Sequence, residues 1–478
     1  MDGDEFRYWS IRAAEWGADY RQTLRQRPVR SPIAPGTIAG QIPEQPPALP
    51  EPMEQIFADF EETILPGMTH WQHPRFFAYF PANAAPASVI AEYLVSAMSA
   101  QCMLWQTAPA ATELETRAVD WLRQAVGLPV DFVGSIQDSA STGTLVALLT
   151  MRERVLDWRG NQEGLAAQSP VRIYASDQVH SSVDRAIWVA GIGAANFVRI
   201  PTAGRLRGMD PEALEAAINR DRAAGMLPAG VIACVGGTSV GATDDLHEVC
   251  AVATAHGLPV HVDAAWAGAA MICPEFRDLW AGIELADSVV INPHKWLGAQ
   301  FDCSVLLTRA PDHITRTLAV HPEYLRTHER DGIVDYSEWT VPLGRRFRAL
   351  KLWFLMRVYG LSGLQAMVRD HVRWAADLAH RLAAIPEFEI VTPPVLALFS
   401  FRFVPRGASD TESDALNLAL VNAINDDGRI YLTQTRVDHR IAIRFQVGQF
   451  ETTAQDVDEA LTAIVECAAR IAPVRDRG

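Results

Sequence analysis

The sequence predicts an α/β protein, a mainly parallel sheet covered by helices, and three observations carry that expectation. From about residue 82 to 310, stretches with helical apolar spacing alternate with short β-branched runs. Parallel strands need crossovers of a dozen or more residues, and helices of that length lie between these runs. With 478 residues, 49% hydrophobic and 21% charged, the chain is long enough to bury large cores in two or three structural units.

Residues 6–24 repeat apolar positions at helical spacing and predict a first helix. Prolines at 28, 32, 35, 43, 46, 47, 50 and 52 then predict an extended stretch lying across another surface. A second helix over about 53–65 leads into Trp71, Pro74, Phe76, Phe77, Tyr79, Phe80 and Pro81. That aromatic cluster is too dense for an exposed loop; core packing, an interface between copies and a pocket wall all fit it. The β-branched runs fall at 171–175, 197–200, 231–235, 260–262, 288–291 and 305–308. Between them, Asp210-Pro211 reads as an N-cap followed by proline at the first helical position. From about residue 360 a smaller α+β unit follows, closed by a helix starting near Thr453 with apolar residues at 457, 461, 464, 465 and 468.

Composition narrows the function. A net charge of −15 and a pI near 5.3 repel polyanions and argue against nucleic-acid binding. The terminus Met1-Asp2-Gly3-Asp4-Glu5 is acidic where a signal peptide is basic, and no apolar run approaches the roughly 18 residues of a membrane helix, so a cytoplasmic location is expected. Six cysteines without CxxC spacing fit neither a disulfide framework nor a zinc-thiolate site. Only Lys295 and Lys351 are lysines among 42 basic residues. Lysine can lose its proton in a protein and arginine cannot, so a lysine kept in an arginine-rich chain is a candidate reactive amine.

Three stretches carry chemistry. Residues 134–144 are rich in glycine, serine and threonine and precede an apolar helix. They could cradle an anion on free N–H groups or simply cap the helix. His261-Val262-Asp263-Ala264-Ala265 is an apolar strand ending in a carboxylate, placed where ligands bind in open α/β sheets; a helix cap or a salt bridge is the alternative. His261 shares a face with Asp263, but no further ligand cluster has metal-site spacing, and no metal is expected. Asn292-Pro293-His294-Lys295-Trp296 follows an apolar run. A partly desolvated amine at a strand end is nucleophilic and forms imines, although alone it would read as a turn lysine. An amine, an anion site and a buried carboxylate together are what pyridoxal phosphate demands of a protein.

At these residues the chain resembles the group II pyridoxal-phosphate decarboxylases, in particular the aromatic-L-amino-acid branch. The matching stretches are residues 73–81, 112–115, 139–141, 180–183, 261–265, 292–296 and 342–348. The resemblance implies a pyridoxal-phosphate-dependent transferase fold (fold type I) with a seven-stranded-type sheet. It implies an N-terminal arm over 1–80 that wraps a dimer partner, a large cofactor domain over 81–358 and a small α+β C-terminal domain over 359–478. It makes Lys295 the Schiff-base lysine and Asp263 the partner of the ring nitrogen. His180 stacks on the ring. Ser139, Ala140, Ser141, Asn292 and His294 hold the phosphate, and Thr238 and Ala265 lie close to the cofactor. Gly237 stands where many relatives have a second threonine. Tyr324, in the polar stretch 319–339, matches the loop tyrosine that protonates Cα. Relatives with phenylalanine there form aldehydes oxidatively, so tyrosine favours simple decarboxylation.

Trp71, Phe80, Pro81 and Trp266 offer an aromatic-lined pocket for an aromatic side chain, with Met103 contributed by a second subunit of a homodimer. Gly344 matches the glycine of indole-specific plant relatives. The expected reaction converts tryptophan, tyrosine, phenylalanine or DOPA to the amine and carbon dioxide. An acidic substrate such as glutamate and an oxidative aldehyde-forming course are the alternatives. A nicotinamide dehydrogenase fits poorly: Gly191-Ile192-Gly193 lacks a third glycine, with Asn196 in its place.

Overall fold

The computed structural model describes residues 1–320 and 332–471. Its contacts divide the chain into two compact units, one of residues 82–373 and 394–399, the other of 1–81, 374–393 and 400–478.

The first of these is built on a seven-stranded sheet. Its strands are β1 (Val133–Gln137), β2 (Val171–Ser176), β3 (Phe197–Ile200), β4 (Leu227–Cys234), β5 (Val260–Asp263), β6 (Ser288–Ile291) and β7 (Ser304–Thr308). They lie in the order β1-β7-β6-β5-β4-β2-β3. β7 alone is antiparallel to its neighbours; the remaining adjacent pairs are parallel. The exception has a local cause: residues 292–303, between β6 and β7, contain no helix to carry a parallel crossover.

The expected runs at 171, 197, 231, 260, 288 and 305 all lie in strands. β1 is the strand the sequence reading missed, because Gly134 and Ser135 there looked like turn residues. Gly134 is required by packing: a Cβ would run into the Leu306 carbonyl of the paired strand. Burial on both faces explains why β4 and β6 read as near-continuous apolar runs.

Helices α3 (Pro86–Met98), α4 (Pro109–Val126), α5 (Ala140–Val155), α6 (Ser182–Val189), α7 (Pro211–Ala223), α8 (Leu246–Ala255) and α9 (Pro311–Leu318) also belong to this unit. Polar N-caps start three of them: Ser139, Asp210 and Asp245 accept from backbone N–H groups of the first turn. Gly143 lets α5 lie close on β6, since a Cβ there would stand 3.1 Å from Val290 Cγ2. Because six strands run the same way, the segments after β1, β2, β4, β5 and β6 all leave one edge of the sheet. Those segments carry Ser139, His180, Thr238, Asp263 to Trp266, and Lys295.

The other unit contains α1 (Gly3–Thr23), α2 (Met53–Asp59) and a four-stranded sheet of β8 (Phe388–Val395), β9 (Leu398–Phe403), β10 (Thr433–Val437) and β11 (Arg440–Gln446), in the order β8-β9-β11-β10. The helix expected over 53–65 becomes a π turn at Phe60–Ile64 and a 3-10 turn at Leu65–Gly67. The proline-rich residues 28–52 form neither helix nor strand. α10 (Ala349–Ala383) breaks at Gly360, where φ is 62°. It is followed by α11 (Asp410–Asp427), which carries a capping box from Ser409 to Glu412, and α12 (Ala454–Ile471).

Candidate active site

Lys295 sits in a turn just beyond β6. Its N–H donates to the Asn292 carbonyl at 2.9 Å, and its own carbonyl accepts from Asn83 Nδ2 at 2.6 Å. The carboxylate of Asp263, at the end of the adjacent β5, accepts the Ala265 N–H at 3.0 Å through Oδ1. The Ala265 carbonyl in turn takes the Asn292 N–H at 2.9 Å. The Asp263 turn and the Lys295 turn are therefore hydrogen-bonded to each other.

His180 lies within electrostatic reach of both. Burial lowers its pKa; Asp263 opposes that shift and Lys295 adds to it. Nδ1 accepts from the Ser182 N–H at 3.1 Å and sits 2.8 Å from Ser182 Oγ. Since a backbone N–H can only donate, the neutral ring carries its proton on Nε2. The short bonds to residue 182 hold the ring in one orientation.

One further strand end, that of β1, and the turn after β6 carry groups that could hold an anion. Ser139 caps α5, its Oγ accepting from the Thr142 N–H at 3.3 Å and donating to Asp138 at 3.0 Å. Ala140 and Ser141 form the first helical turn, where N–H groups lack helical partners and the helix dipole favours negative charge. Asn292 accepts from Ser304 Oγ at 2.6 Å. His294 is buried, and its Nδ1 accepts from the Cys303 N–H at 2.9 Å. Burial, then the charge of Lys295, lowers its pKa to about 3, so its ring is neutral with the proton on Nε2.

Thr238 is half-buried in the loop after β4. That loop needs Gly236 and Gly237. Gly236 has φ 76° and would press a Cβ to 2.5 Å from Ala267 Cβ, while Gly237 comes so near the 176–180 turn that a Cβ would meet the Gln178 carbonyl oxygen at 3.1 Å. The threonine of many relatives at 237 would crowd that carbonyl.

His261 is structural. It is fully buried, with Nδ1 2.8 Å from Ser288 Oγ and Nε2 3.4 Å from Thr144 Oγ1, and burial lowers its pKa to about 4. Among the described residues no group of three His, Cys, Asp or Glu side chains could hold a metal ion.

Of the residues expected to line a substrate pocket, Trp266, Met103 and Gly344 belong to the unit of residues 82–373, and Trp71, Phe80 and Pro81 to the other. Trp266 is 1% exposed. Its ring stacks on Trp296 at 5.0 Å, and Trp296 donates to His371 Nδ1 at 2.9 Å. The indole is thus packed in the core behind the Asp263 turn. Met103 accepts the Ser337 N–H at 3.0 Å through its carbonyl. Gly344 is exposed on the wall of a cleft of about 240 Å³ that also includes Gln137, Asp138, Thr142, Arg345 and Arg348. Trp71, Phe80 and Pro81 belong to the other compact unit, where Trp71 lies on Phe76 at 4.5 Å and Arg444 sits over Phe80 at 5.3 Å. Tyr324 lies outside the described residues.

One pairing escaped the sequence reading although both partners lie in the stretches that carried the resemblance. Arg345 forks onto Glu115 at 2.6 and 3.1 Å, both side chains almost fully buried. Arg345 also donates to the Ile136 carbonyl at 2.8 Å, and Glu115 accepts the Ile136 N–H at 2.8 Å. The pair therefore fixes the end of β1, immediately before the Ser139 cap.

The fold and the site together define a class: an α/β protein with a lysine amine, a carboxylate, a neutral histidine and a helix N-terminus gathered at the carboxyl edge of a parallel sheet. The chain belongs to the pyridoxal-dependent decarboxylase family, whose conserved domain matches residues 35–404. It is 38% identical to phenylacetaldehyde synthase of Arabidopsis thaliana, over 98% of this chain and 96% of that one. It is 39% identical to aromatic-L-amino-acid decarboxylase of Rattus norvegicus, over 94% of each chain. The crystal structure of Oryza sativa TDC with PLP and tryptamine is 35% identical, with a TM-score of 0.95 over 98% of this chain and 99% of that one.

Proposed function

We propose that this protein decarboxylates an aromatic L-amino acid, releasing the amine and carbon dioxide, with Lys295, Asp263 and His180 at the reacting centre. The observation that carries the site is the hydrogen-bonded pair of turns that sets Lys295 beside Asp263, with His180 within reach of both charges. The donor set fits pyridoxal phosphate: an amine, a carboxylate, a flat neutral ring, and N–H groups at the start of α5.

When bound, the cofactor supplies an electron sink for the negative charge left at Cα as carbon dioxide departs. Lys295 would provide the amine that holds it. Asp263 would hold a proton at the ring nitrogen, its direction fixed by the N–H that braces its Oδ1. His180 would pack against the cofactor, Ser139, Ala140, Ser141, Asn292 and His294 would hold its phosphate, and Thr238 and Ala265 would complete the site. Tyr324 returns the proton to Cα, and its presence favours amine over aldehyde.

Met103 and Gly344 line the substrate side within one unit, with Trp266 behind the Asp263 turn, and Trp71, Phe80 and Pro81 offer aromatic and apolar surface in the other. We read the protein as a homodimer. The α3 side chains Val89, Ile90, Tyr93, Leu94 and Met98 form an exposed apolar row, and α1 has no buried residue, which suits an arm that wraps a partner. No described helix is long and apolar enough to cross a membrane. Six unpaired, buried cysteines fit the reducing cytoplasm.

Product analysis tests the reaction. The cofactor-saturated protein is given L-tryptophan, L-tyrosine, L-phenylalanine, L-DOPA and L-glutamate separately, and amine, aldehyde and peroxide are scored. Amine from an aromatic substrate without matching peroxide is expected. Amine from glutamate alone would overturn the aromatic assignment, and aldehyde with peroxide would overturn the role given to Tyr324.

A further inference from the structure

The loop that carries Lys295 is gripped from two sides by polar groups of its own compact unit. On one side lie Asn83 and the start of α3. Asn83 N–H donates to the His294 carbonyl at 2.8 Å, its side-chain amide to the Lys295 carbonyl at 2.6 Å, and its own carbonyl accepts the Phe301 N–H at 3.2 Å. Ala85 N–H donates to the Gly298 carbonyl at 2.8 Å, and Ser88 Oγ accepts the Gln300 N–H at 2.6 Å. On the other side lies the start of α10. Arg348 binds both oxygens of Asp302, at 2.8 and 3.3 Å. Lys351 Nζ donates to Gln300 Oε1 at 2.8 Å and to Glu92 Oε2 at 3.0 Å, and Arg346 pairs with the other oxygen of Glu92.

Residues 300 and 302 are thus held on either side of Phe301, whose ring stands 4.8 Å from the His294 ring. The next residue, Cys303, donates its N–H to His294 Nδ1. Any shift of residues 300–302 passes directly into the imidazole and, through His294, into Lys295. The Lys351 side chain is 1% exposed. A buried ammonium is costly unless paired, and an apolar side chain of similar volume would fill the same space. Packing therefore does not account for it. Lysine rather than arginine fits, because the site offers two acceptors to one compact donor, in a chain whose other 40 of 42 basic residues, Lys295 excepted, are arginines.

We propose that Lys351, acting through Gln300 and Glu92, is a positioning residue that sets the Lys295–Cys303 loop and with it Lys295 and His294 in the geometry the cofactor requires. This rests on the reading of Lys295 as the cofactor amine. It assigns Lys351 no contact with substrate or cofactor.

The test uses the full chain as wild type, Lys351→Met, Lys351→Arg and Gln300→Ala. Hydrogen–deuterium exchange of peptides covering 292–303 is measured without cofactor, followed by pyridoxal-phosphate affinity, kcat and KM. Gln300→Ala keeps the Lys351–Glu92 ion pair, so it decides the matter should Lys351→Met fail to fold. Lys351→Met and Gln300→Ala are expected to speed exchange in that loop about 10-fold, weaken the cofactor by a similar factor and lower kcat about 10-fold, with KM moving less than about 3-fold. Lys351→Arg recovers part of each. Unchanged loop exchange and cofactor affinity in Gln300→Ala, with only global stability lost in Lys351→Met, would overturn the proposal and leave Lys351 a core ion pair. Cofactor binding and turnover that survive Lys295→Ala would instead overturn the reading beneath it.

Discussion

At the residue scale, the two lysines divide into two kinds of work. Lys295 stands at a strand end beside a carboxylate. Lys351 is buried against Glu92 and Gln300. The sequence count that set both apart could not distinguish them, because the partners of Lys351 lie 259 and 51 residues away. Asp263→Asn offers a neutral amide that cannot hold a proton on the ring nitrogen. Its kcat is expected to fall by about 100-fold or more with the fold intact, measured by initial rates beside far-ultraviolet circular dichroism. An unchanged kcat would remove Asp263 from the chemistry.

Long-range pairing also explains what else stayed hidden. Asn83 meets Lys295 across 212 residues, and Arg345 meets Glu115 across 230. Neither pair has a local pattern that could announce it. The positions legible in the sequence were those with a strand end or a helix start beside them: Asp263, Lys295 and Ser139. Trp266 read as a pocket residue because an indole after a functional carboxylate looks like lining; the ring turned inward onto Trp296 instead.

At the scale of elements, the strands were legible where burial on both faces made them apolar, and β1 was lost because its glycine serves close packing against β7. The Glu115–Arg345 pair joins α4, the end of β1 and the segment before α10. Removing one partner leaves the other charge buried and alone, so Glu115→Ala is expected to cost about 3–5 kcal/mol in urea unfolding, with much of that recovered in Glu115→Ala/Arg345→Met. No loss in the single variant would show that the pair does not hold β1. In the loop after β4, Gly236→Ala forces a Cβ onto Ala267 at φ 76°. It is expected to cost about 1–3 kcal/mol by the same measurement and to weaken cofactor binding through the displaced Thr238.

At the scale of the whole molecule, acid is expected to unfold the protein early. Burial lowers the pKa of His73, His294 and His371 to about 3 and of His261 to about 4. The unfolded chain binds protons at these sites near pH 6.5 and the folded chain does not. The stability they contribute is therefore present above about pH 6.5 and lost as pH falls toward 4, about 2 kcal/mol for each histidine at pH 5. Asp244 works the other way. Burial raises its pKa to about 6, so its contribution grows as pH falls below 6 and offsets less than one histidine at pH 5. Urea midpoints between pH 7.5 and 5 check the sign; a flat profile would contradict it. The exposed row on α3 makes a second prediction at this scale. Ile90→Asp with Leu94→Asp is expected to convert a dimer to monomers in sedimentation velocity, and a dimer that survives both changes would place the interface elsewhere.

Whether Lys295 is the amine that carries the cofactor is open to a near-binary test because the chain has only two lysines. The cofactor-loaded protein is reduced with borohydride, digested and mapped by mass spectrometry. The reduced pyridoxyl adduct is expected on the peptide containing Lys295, at close to one per chain, with Lys351 unmodified. An adduct on Lys351, or a protein that loads cofactor without forming one on Lys295, would contradict it.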